Sequence, residues 1–392
     1  MRLAAALAAV LVLGCASAQG PGAAAPKSAE SRGSGPADPT VLPRTVITPG
    51  SEADLDELFG QAEKKLAAGD SAGAAQGFDR VYRLEPTGPR AAEALYQGGL
   101  AHEQAGDRGT SLQRFEQLAS RFPTHALARD ALLRAIRLLC FMERWQRCGE
   151  ASDLFVSRYP ARDYVEDIVT LGAKALWRVS EGDAESATYY IEKARTLVEE
   201  HRLDAAGKIP RDVAQLYFAL GEARRLRAEK IRFNPLPGNF PVVLEERCQL
   251  LLDAQSAYSD AMRAQDAHWS AMAGFRVGEL YHKLHVDLMD IPQPKADTDA
   301  KRQLFEGAMR LRYSILLDKA LTMMEHTLSM SARTGEKSAW VEKADDAKLK
   351  LQRAQKAEKD AIDKLPYTRE QLQAALDDVA KKAEEKAKKP QK

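Results

Sequence analysis

The sequence has almost no excess of charge of either sign. Its 392 residues include 57 Lys and Arg and 56 Asp and Glu, so the formal net charge at pH 7 is +1. This near-balance argues against nucleic-acid binding, for which a basic excess or stripe is typical. Aromatic residues are also few, at 7%, and few segments combine β-branched residues with period-two alternation. Because helix-forming residues dominate after residue 50, the composition predicts an all-α protein.

The sequence also lacks the common motifs of catalysis and cofactor binding. It has no glycine-rich phosphate loop ending in Lys, no HExxH and no GxSxG,. Glu279 and His282 form one ExxH motif, which His285 extends, but a di-iron bundle needs two such motifs and two further carboxylates. We therefore interpret this stretch as a partly exposed helix face. The prediction is a non-enzymatic protein with no catalytic residue, no metal site and no cofactor.

Long apolar runs are absent except at the amino terminus. Residues 3–13 form an apolar run that is too short to span a bilayer but has the length of a signal-peptide core. The run ends at Val12-Leu13-Gly14-Cys15, which resembles the signal of bacterial lipoproteins. The resemblance implies that residues 1–14 are a signal peptide that is removed, and that Cys15 carries acyl chains such as palmitate. Several chains together give stable anchoring.

The residues after Cys15 bear on the destination of the protein. The alternative to a lipoprotein is an ordinary signal peptide cut after Ala16 or Ala18. In lipoproteins, Asp after the Cys is the usual cue for retention in the inner membrane, so Ala16 favours the outer membrane, with the protein facing the periplasm. Residues 15–50 are rich in Ala, Gly, Pro and Ser, which predicts a lipid anchor followed by a disordered linker.

An internal period follows the linker. Pro86, Pro123 and Pro160 are spaced by 37 residues twice over, and Gly69-Asp70 and Gly106-Asp107 keep the same spacing. A period near 37 with two helices per unit predicts a helical solenoid, in which Gly permits the turn and Pro ends the second helix. The units resemble tetratricopeptide repeats (TPRs). This resemblance implies an all-α, right-handed superhelical solenoid of antiparallel helix pairs.

The repeats divide the chain into three further regions. TPR units are predicted for residues 51–204. Degenerate, lengthened TPR-like hairpins are predicted for residues 205–335. The first predicted helix of this region covers about 211–233, and the second ends at about 265. Two more are predicted over about 267–290 and 299–333. Residues 336–392 predict one or two charged helices and a tail, with a break near Leu365-Pro366.

The first helix of each unit, helix A, lines the concave side of a TPR stack. Helix A residues that the hairpin does not use in packing would form a groove for an extended peptide or helix. These candidates are Phe59, Glu63, Tyr96, Leu100, Glu103, Leu133, Arg137, Phe141 and Leu176, with Asp56, Glu93 and Val169 on the same faces. The alternative is that several of them pack against neighbouring units or against the lengthened C-terminal region.

Cysteines are few, and each has an assignment. Cys15 is assigned to the lipid. Cys140 and Cys148 flank the turn of the third unit and either form a disulfide, as an oxidising periplasm allows, or remain two buried free thiols. Cys248 is then unpaired and acts as a small hydrophobic residue at a helix interface.

The repeats and the amino-terminal signal together resemble two groups of TPR lipoproteins. One group comprises the TPR lipoprotein of the β-barrel assembly machine and the Tol-associated cell-division coordinator. The other serves gliding-motility and pilus machinery. The resemblance implies a periplasmic adaptor, lipid-anchored in the outer membrane, that binds other cell-envelope proteins and neither nucleic acid nor a small-molecule cofactor. A lipoprotein that binds the cell wall or a small ligand is the alternative, and a deep polar pocket would favour it.

Overall fold

The computed structural model describes residues 52–205, 209–292 and 298–387. These ranges contain fourteen α-helices and no β-strand, so the predicted all-α fold class is confirmed. Within the described ranges, no helix combines the length and the apolar character needed to cross a membrane. The signal peptide, Cys15 and the linker of residues 15–50 lie outside the described residues.

The described residues fall into two compact units, one ending at Asp107 and the other beginning at Arg108. The first unit contains three helices: α1 (Glu52–Ala67), α2 (Ser71–Leu84) and α3 (Ala91–Gln104). The second begins with five helices of repeat length: α4 (Arg108–Arg121), α5 (Ala128–Phe141), α6 (Trp145–Arg158), α7 (Tyr164–Ser180) and α8 (Ala184–Glu200). Longer helices follow: α9 (Arg211–Lys230), α10 (Phe240–Arg263), α11 (Ala267–Met289), α12 (Asp299–Thr334), α13 (Ala339–Asp363) and α14 (Arg369–Ala387).

In the first unit, a short turn and a small apolar core form the hairpin of α1 and α2. Gly69 ends α1 with a φ of +85°, a conformation that favours glycine. Asp70 then caps α2 by accepting a hydrogen bond from the Gly73 amide at 2.8 Å, which satisfies one of the free amides of the first turn. Phe59 and Phe78 meet edge to face in the core, with ring centroids 5.1 Å apart. These contacts are those of the predicted TPR-type helix pair.

The turns of the repeats differ at one position. Gly69, Gly106 and Gly182 end helices α1, α3 and α7 with φ between +79° and +85°. The turn between α5 and α6 instead has Glu143, which lies 37 residues after Gly106 and has a φ of +58°. A left-handed backbone costs a residue with a side chain roughly 1–2 kcal/mol. Glu143 therefore holds a strained conformation that glycine would adopt freely.

The same turn carries a disulfide. Cys140 in the last turn of α5 is bonded to Cys148 in the first turns of α6, and their Cα atoms are 5.4 Å apart, within the usual range for a disulfide. Cys248 is free and buried, and burial raises the pKa of its thiol to about 11. A thiol with so high a pKa is a poor nucleophile at neutral pH.

Removing this disulfide is expected to destabilise the second unit. Because the two cysteines are eight residues apart, the restraint on the unfolded chain corresponds to about 2–3 kcal/mol. Urea unfolding followed by circular dichroism should show this loss when dithiothreitol is added. The double variant Cys140→Ser/Cys148→Ser should show the same loss and no further response to dithiothreitol. An unchanged unfolding midpoint in both experiments would contradict the prediction.

The longer helices pack around large aromatic side chains. Phe218 of α9, Tyr258 of α10 and Trp269 of α11 are each at most 2% exposed, and the Phe218 ring lies 5.7 Å from Tyr258 and 5.5 Å from Trp269. Gly221 permits this packing, since a Cβ atom there would lie only 2.5 Å from the Tyr258 ring. The aromatic cluster fixes the positions of α9 and α11, the two helices that supply the charged residues described next.

Candidate functional site

In the first unit, several residues predicted to line a groove are at least partly accessible. Glu63 is exposed, and Tyr96, Leu100 and Glu103 are half-buried on α3. Phe59 is different, because it is only 5% exposed and belongs to the core of α1 and α2. The prediction that Phe59 lines an open groove is therefore wrong. Its position on helix A is used for packing within the hairpin.

In the second unit, later helices of the same chain occupy the predicted groove. Arg137 donates two hydrogen bonds to Asp212 of α9, at 3.0 and 2.8 Å. Phe141 stacks on His268 of α11 with ring centroids 3.9 Å apart. Leu133 is 6% exposed. The prediction of an open groove at these three positions is wrong, because Leu133 is buried and because α9 and α11 contact Arg137 and Phe141, as the alternative interpretation anticipated.

Leu176 is also buried, at 2% exposure, but it lines a cavity. The cavity has a volume of about 400 Å³, the size of many small-ligand sites. Its apolar wall is formed by residues of α7, α9 and α11, namely Leu176, Val179, Phe218, Leu226 and Met272. Two indole rings, of Trp145 and Trp340, and four charged side chains, of Glu143, Glu222, Arg225 and Arg276, complete most of the lining. This cavity is the candidate functional site.

Glu222 is the centre of the charged part of the lining. Its carboxylate accepts hydrogen bonds from Arg225 Nη2 at 2.9 Å and from the Tyr258 hydroxyl at 2.5 Å. Arg276 Nε lies 2.9 Å from Glu222 Oε1 without the alignment of a hydrogen bond, so this contact is an ion pair. The two arginines also pair outward, Arg225 with Glu229 at 3.0 Å and Arg276 with Glu279 at 2.5 Å.

These contacts keep Glu222 ionised. Burial alone would raise the pKa of Glu222, but the positive charges of Arg276 and Arg225 outweigh it and hold that pKa below its ordinary value,. Burial and the Glu222 charge raise the pKa of Tyr258 well above its ordinary range. Tyr258 thus stays a donor and Glu222 an acceptor. The arrangement is a closed ion-pair network and has no proton to exchange with a ligand near neutral pH.

Glu143 reaches the cavity from the turn between α5 and α6. Its Oε1 accepts a hydrogen bond from the indole nitrogen of Trp340, on α13, at 2.5 Å. Trp340 is 3% exposed, and the Arg276 guanidinium lies 5.0 Å from the centre of its ring. Glu143, with its strained backbone, and Trp340, near the start of α13, therefore contact each other in the lining of the cavity.

Two buried histidines of α11 face carboxylates of the C-terminal segment. His268 Nδ1 lies 3.7 Å from Glu336, and His285 Nε2 lies 3.8 Å from Glu358; both histidines are 5% exposed. Burial lowers the pKa of each imidazole below its ordinary value, although the neighbouring carboxylates oppose the effect. The interpretation of this stretch as a partly exposed helix face is wrong for His285, because α13 covers it.

The two histidines make stability depend on pH. In the unfolded chain they titrate near their ordinary pKa of about 6.5, and in the folded chain below it. As pH falls below about 6.5, the unfolded state binds more protons, so the free energy of unfolding should fall until the folded pKa is passed. Urea unfolding at neutral pH and at about pH 5 measures this change. The double variant His268→Gln/His285→Gln should depend less on pH; an equal dependence would count against these histidines.

Two other features of the described residues differ from this cavity. No three His, Cys, Asp or Glu side chains in residues 52–205, 209–292 and 298–387 are grouped so as to hold a metal ion. A second cavity, of about 410 Å³, is lined mainly by methionine and small polar residues of α10, α11 and α12, among them Met262, Met323, His326 and Met330. Its lining has no carboxylate, so it has no charged network comparable to that around Glu222.

Comparison with known proteins gives structural likenesses only. No protein-family model matches the chain, and no curated protein matches it significantly. A solved tetratricopeptide repeat protein from Parabacteroides merdae is 14% identical, with 76% of this chain and 99% of that chain covered and a TM-score of 0.39. The TPR domain of P58(IPK) is 12% identical, with 86% and 100% covered and a TM-score of 0.25. The TPR-type architecture therefore rests on the period and the hairpins of this chain.

Leu176 was predicted to line an open groove for a partner and is instead buried in the wall of the cavity; the charged residues of the cavity were not predicted. Glu222 and Arg225 come from α9 and Arg276 from α11, and their contacts follow no period that the sequence displays. One signal was available, because the repeat glycine of positions 69 and 106 is replaced by Glu at 143.

Proposed function

We propose that this protein is a non-enzymatic adaptor that binds partner proteins of a cell-envelope machine, serving motility, pili, division or outer-membrane assembly. In this proposal, Cys15 carries the lipid anchor, the outer membrane holds the anchor, and the helical units face the periplasm. The signal of residues 1–14 supports the anchor, and the helical hairpins support a role in binding proteins, since stacked repeats present extended surfaces to their partners.

One face of α3 carries the proposal. Glu93, Tyr96, Leu100 and Glu103 are spaced by three or four residues and therefore share one side of the helix. All four are half-buried, so a phenol and an aliphatic side chain lie between two carboxylates at the surface of the first unit. Glu93 is paired with Arg90 at 2.6 Å, and Glu63 on α1 is exposed. Such a face suits a partner segment that combines apolar and basic side chains.

Photo-crosslinking tests this face in cells. A photoreactive amino acid at position 96 should give a discrete adduct with one envelope protein, which mass spectrometry would identify. The matched control places the same amino acid at Arg80, an exposed residue of α2, where no such adduct is expected. Equal adducts from both positions, or none from position 96, would remove the support that α3 gives to the adaptor.

The anchor has its own test. Cys15→Ala should move the protein from the membrane fraction to the soluble fraction of lysed cells, because the acylated side chain is then absent. A variant that stays with the membrane would overturn the lipoprotein part of the proposal and leave the adaptor part standing.

The cavity favours a second candidate function, a lipoprotein that binds the cell wall or a small ligand. Its volume of about 400 Å³ and its combination of indole rings with buried charges are typical of small-ligand sites. Specific binding of a cell-wall sugar to this cavity would support that function over the adaptor.

A further inference from the structure

The turn at Glu143 departs from the repeat at the point where it meets the cavity. Left-handed residues other than glycine persist where their surroundings hold them, and they cluster at functional sites. Glu143 has such a backbone, with a φ of +58°, and it lies in the lining of the cavity. One oxygen of that carboxylate, Oε1, accepts the Trp340 indole hydrogen. A carboxylate has a second oxygen, so Glu143 can hold Trp340 and accept from a ligand at once.

The charged groups of the lining divide into a paired set and Glu143. The lining itself is balanced, with the carboxylates of Glu143 and Glu222 against the guanidinium groups of Arg225 and Arg276. Both arginines pair with Glu222, and each also pairs with a carboxylate outside the lining, Glu229 or Glu279. The two arginines are therefore committed to other carboxylates, and the charge of Glu143 favours a cationic ligand over an anionic one.

The carboxylate that can meet a cationic ligand is that of Glu143. Glu222 is enclosed by Arg225, Arg276 and Tyr258, so its oxygens are already used. Glu143 is half-buried and lies in the lining together with Trp145, whereas the Trp340 ring already has Arg276 and Lys343 over it. Indole rings attract cations through their faces. A cation that enters the cavity would therefore meet a carboxylate and aromatic surface at the same end.

We infer that this cavity binds the guanidinium group of an arginine side chain presented by a partner protein. The inference rests on the proposed adaptor function and names the chemistry that the partner must carry. Arginine fits better than lysine, since a planar guanidinium stacks on an aromatic ring while one of its N–H groups donates to the second oxygen of Glu143. Its aliphatic stem would lie against the apolar wall formed by Leu176, Val179 and Leu226,.

Small capped amino acids test the inference on the full chain. The probe is N-acetyl-arginine-N-methylamide, compared with the citrulline analogue, which has the same shape and no charge, and with the lysine analogue. Saturation-transfer NMR and tryptophan fluorescence would report binding. We expect the arginine probe to bind with a Kd on the order of 0.1–1 mM, as its size allows, the lysine probe to bind more weakly, and the citrulline probe to bind at least about 10-fold more weakly.

Variants of Glu143 separate its charge from its structural contact. Glu143→Gln keeps an oxygen that can accept from Trp340 but removes the charge, and it should weaken binding of the arginine probe about 5–10-fold. Glu143→Gly restores the residue of the other repeat turns and should abolish the preference for arginine over citrulline. Glu185→Gln changes the net charge equally at an exposed site on α8 and should leave binding unchanged.

Three results would overturn the inference. The first is equal affinity for the arginine and citrulline probes, and the second is an unchanged Kd in Glu143→Gln. The third is binding of N,N′-diacetylchitobiose, a neutral amino-sugar disaccharide, without binding of the arginine probe, which would favour the cell-wall function instead. A discrete adduct from position 96 would keep the adaptor function even then, because that position lies in the first unit and the cavity in the second.

Discussion

Replacing Glu222 by alanine is expected to lower the free energy of unfolding by about 3–5 kcal/mol. Glu222 is 4% exposed and is the shared partner of Arg225 and Arg276. Its removal leaves two half-buried guanidinium groups without their shared partner, and the Tyr258 hydroxyl without its acceptor. The loss therefore exceeds that of an exposed ion pair, which is typically about 0–1 kcal/mol. Urea unfolding followed by circular dichroism measures it.

Tyr258→Phe is the matched control for this variant. It removes one hydrogen bond to Glu222 and leaves both ion pairs in place, so we expect a loss of about 1–2 kcal/mol. If Glu222→Ala cost no more than Tyr258→Phe, the network would not stabilise the second unit as its geometry indicates. The pKa of Glu222 is lower in the folded chain, so its contribution is present above the unfolded pKa and is lost as pH falls through the folded pKa.

Trp340→Ala is expected to cost about 3–5 kcal/mol, as is usual for a buried tryptophan. The Trp340 ring meets Phe275 edge to face with centroids 5.3 Å apart, and its indole hydrogen is donated to Glu143. The variant would leave a void between α11, α13 and the turn of α5 and α6. Hydrogen exchange should then be faster in α13 than in α7 and α8, because Trp340 is the first large buried side chain of α13.

Trp340→Phe tests how much of this cost comes from the hydrogen bond. Phenylalanine keeps an aromatic ring at the site but cannot donate to Glu143, so a loss of about 1–2 kcal/mol is expected. In the background of Glu143→Gly the further cost of Trp340→Phe should shrink, since the acceptor is already absent. Equal costs in both backgrounds would show that the contact between these two side chains adds nothing to stability.

The hairpins could be predicted from the sequence because their determinants are local. Gly69-Asp70 and Gly182-Asp183 supply a left-handed turn residue and then a capping carboxylate for the next helix. Neither needs information from distant parts of the chain. The two C-terminal helices were predicted less sharply. The sequence allowed one or two helices after residue 336, and the structure has α13 and α14, separated near Leu365-Pro366.

The site could not be predicted in the same way, because its contacts join distant segments. Arg137 is unused within its own hairpin and so qualified as a groove residue, yet its partner Asp212 is 75 residues further along the chain. The contact between Glu143 and Trp340 spans 197 residues. The repeat period predicts which face of each helix is left free by its own hairpin. It does not predict which of these faces the longer helices that follow will cover.

The length of α12 limits where further helical hairpins could be inserted into this chain. Its 36 residues correspond to about 54 Å, against about 35 Å for the 23 residues of α11,. The first turns of α12 are covered by residues near the start of α14. The Tyr367 hydroxyl donates to the Ala300 carbonyl, and Leu372 lies against Gly307. The part of α12 that these residues cover is therefore closed to a further hairpin. Duplication could insert further hairpins before α12, but a hairpin added after it would have to displace α14.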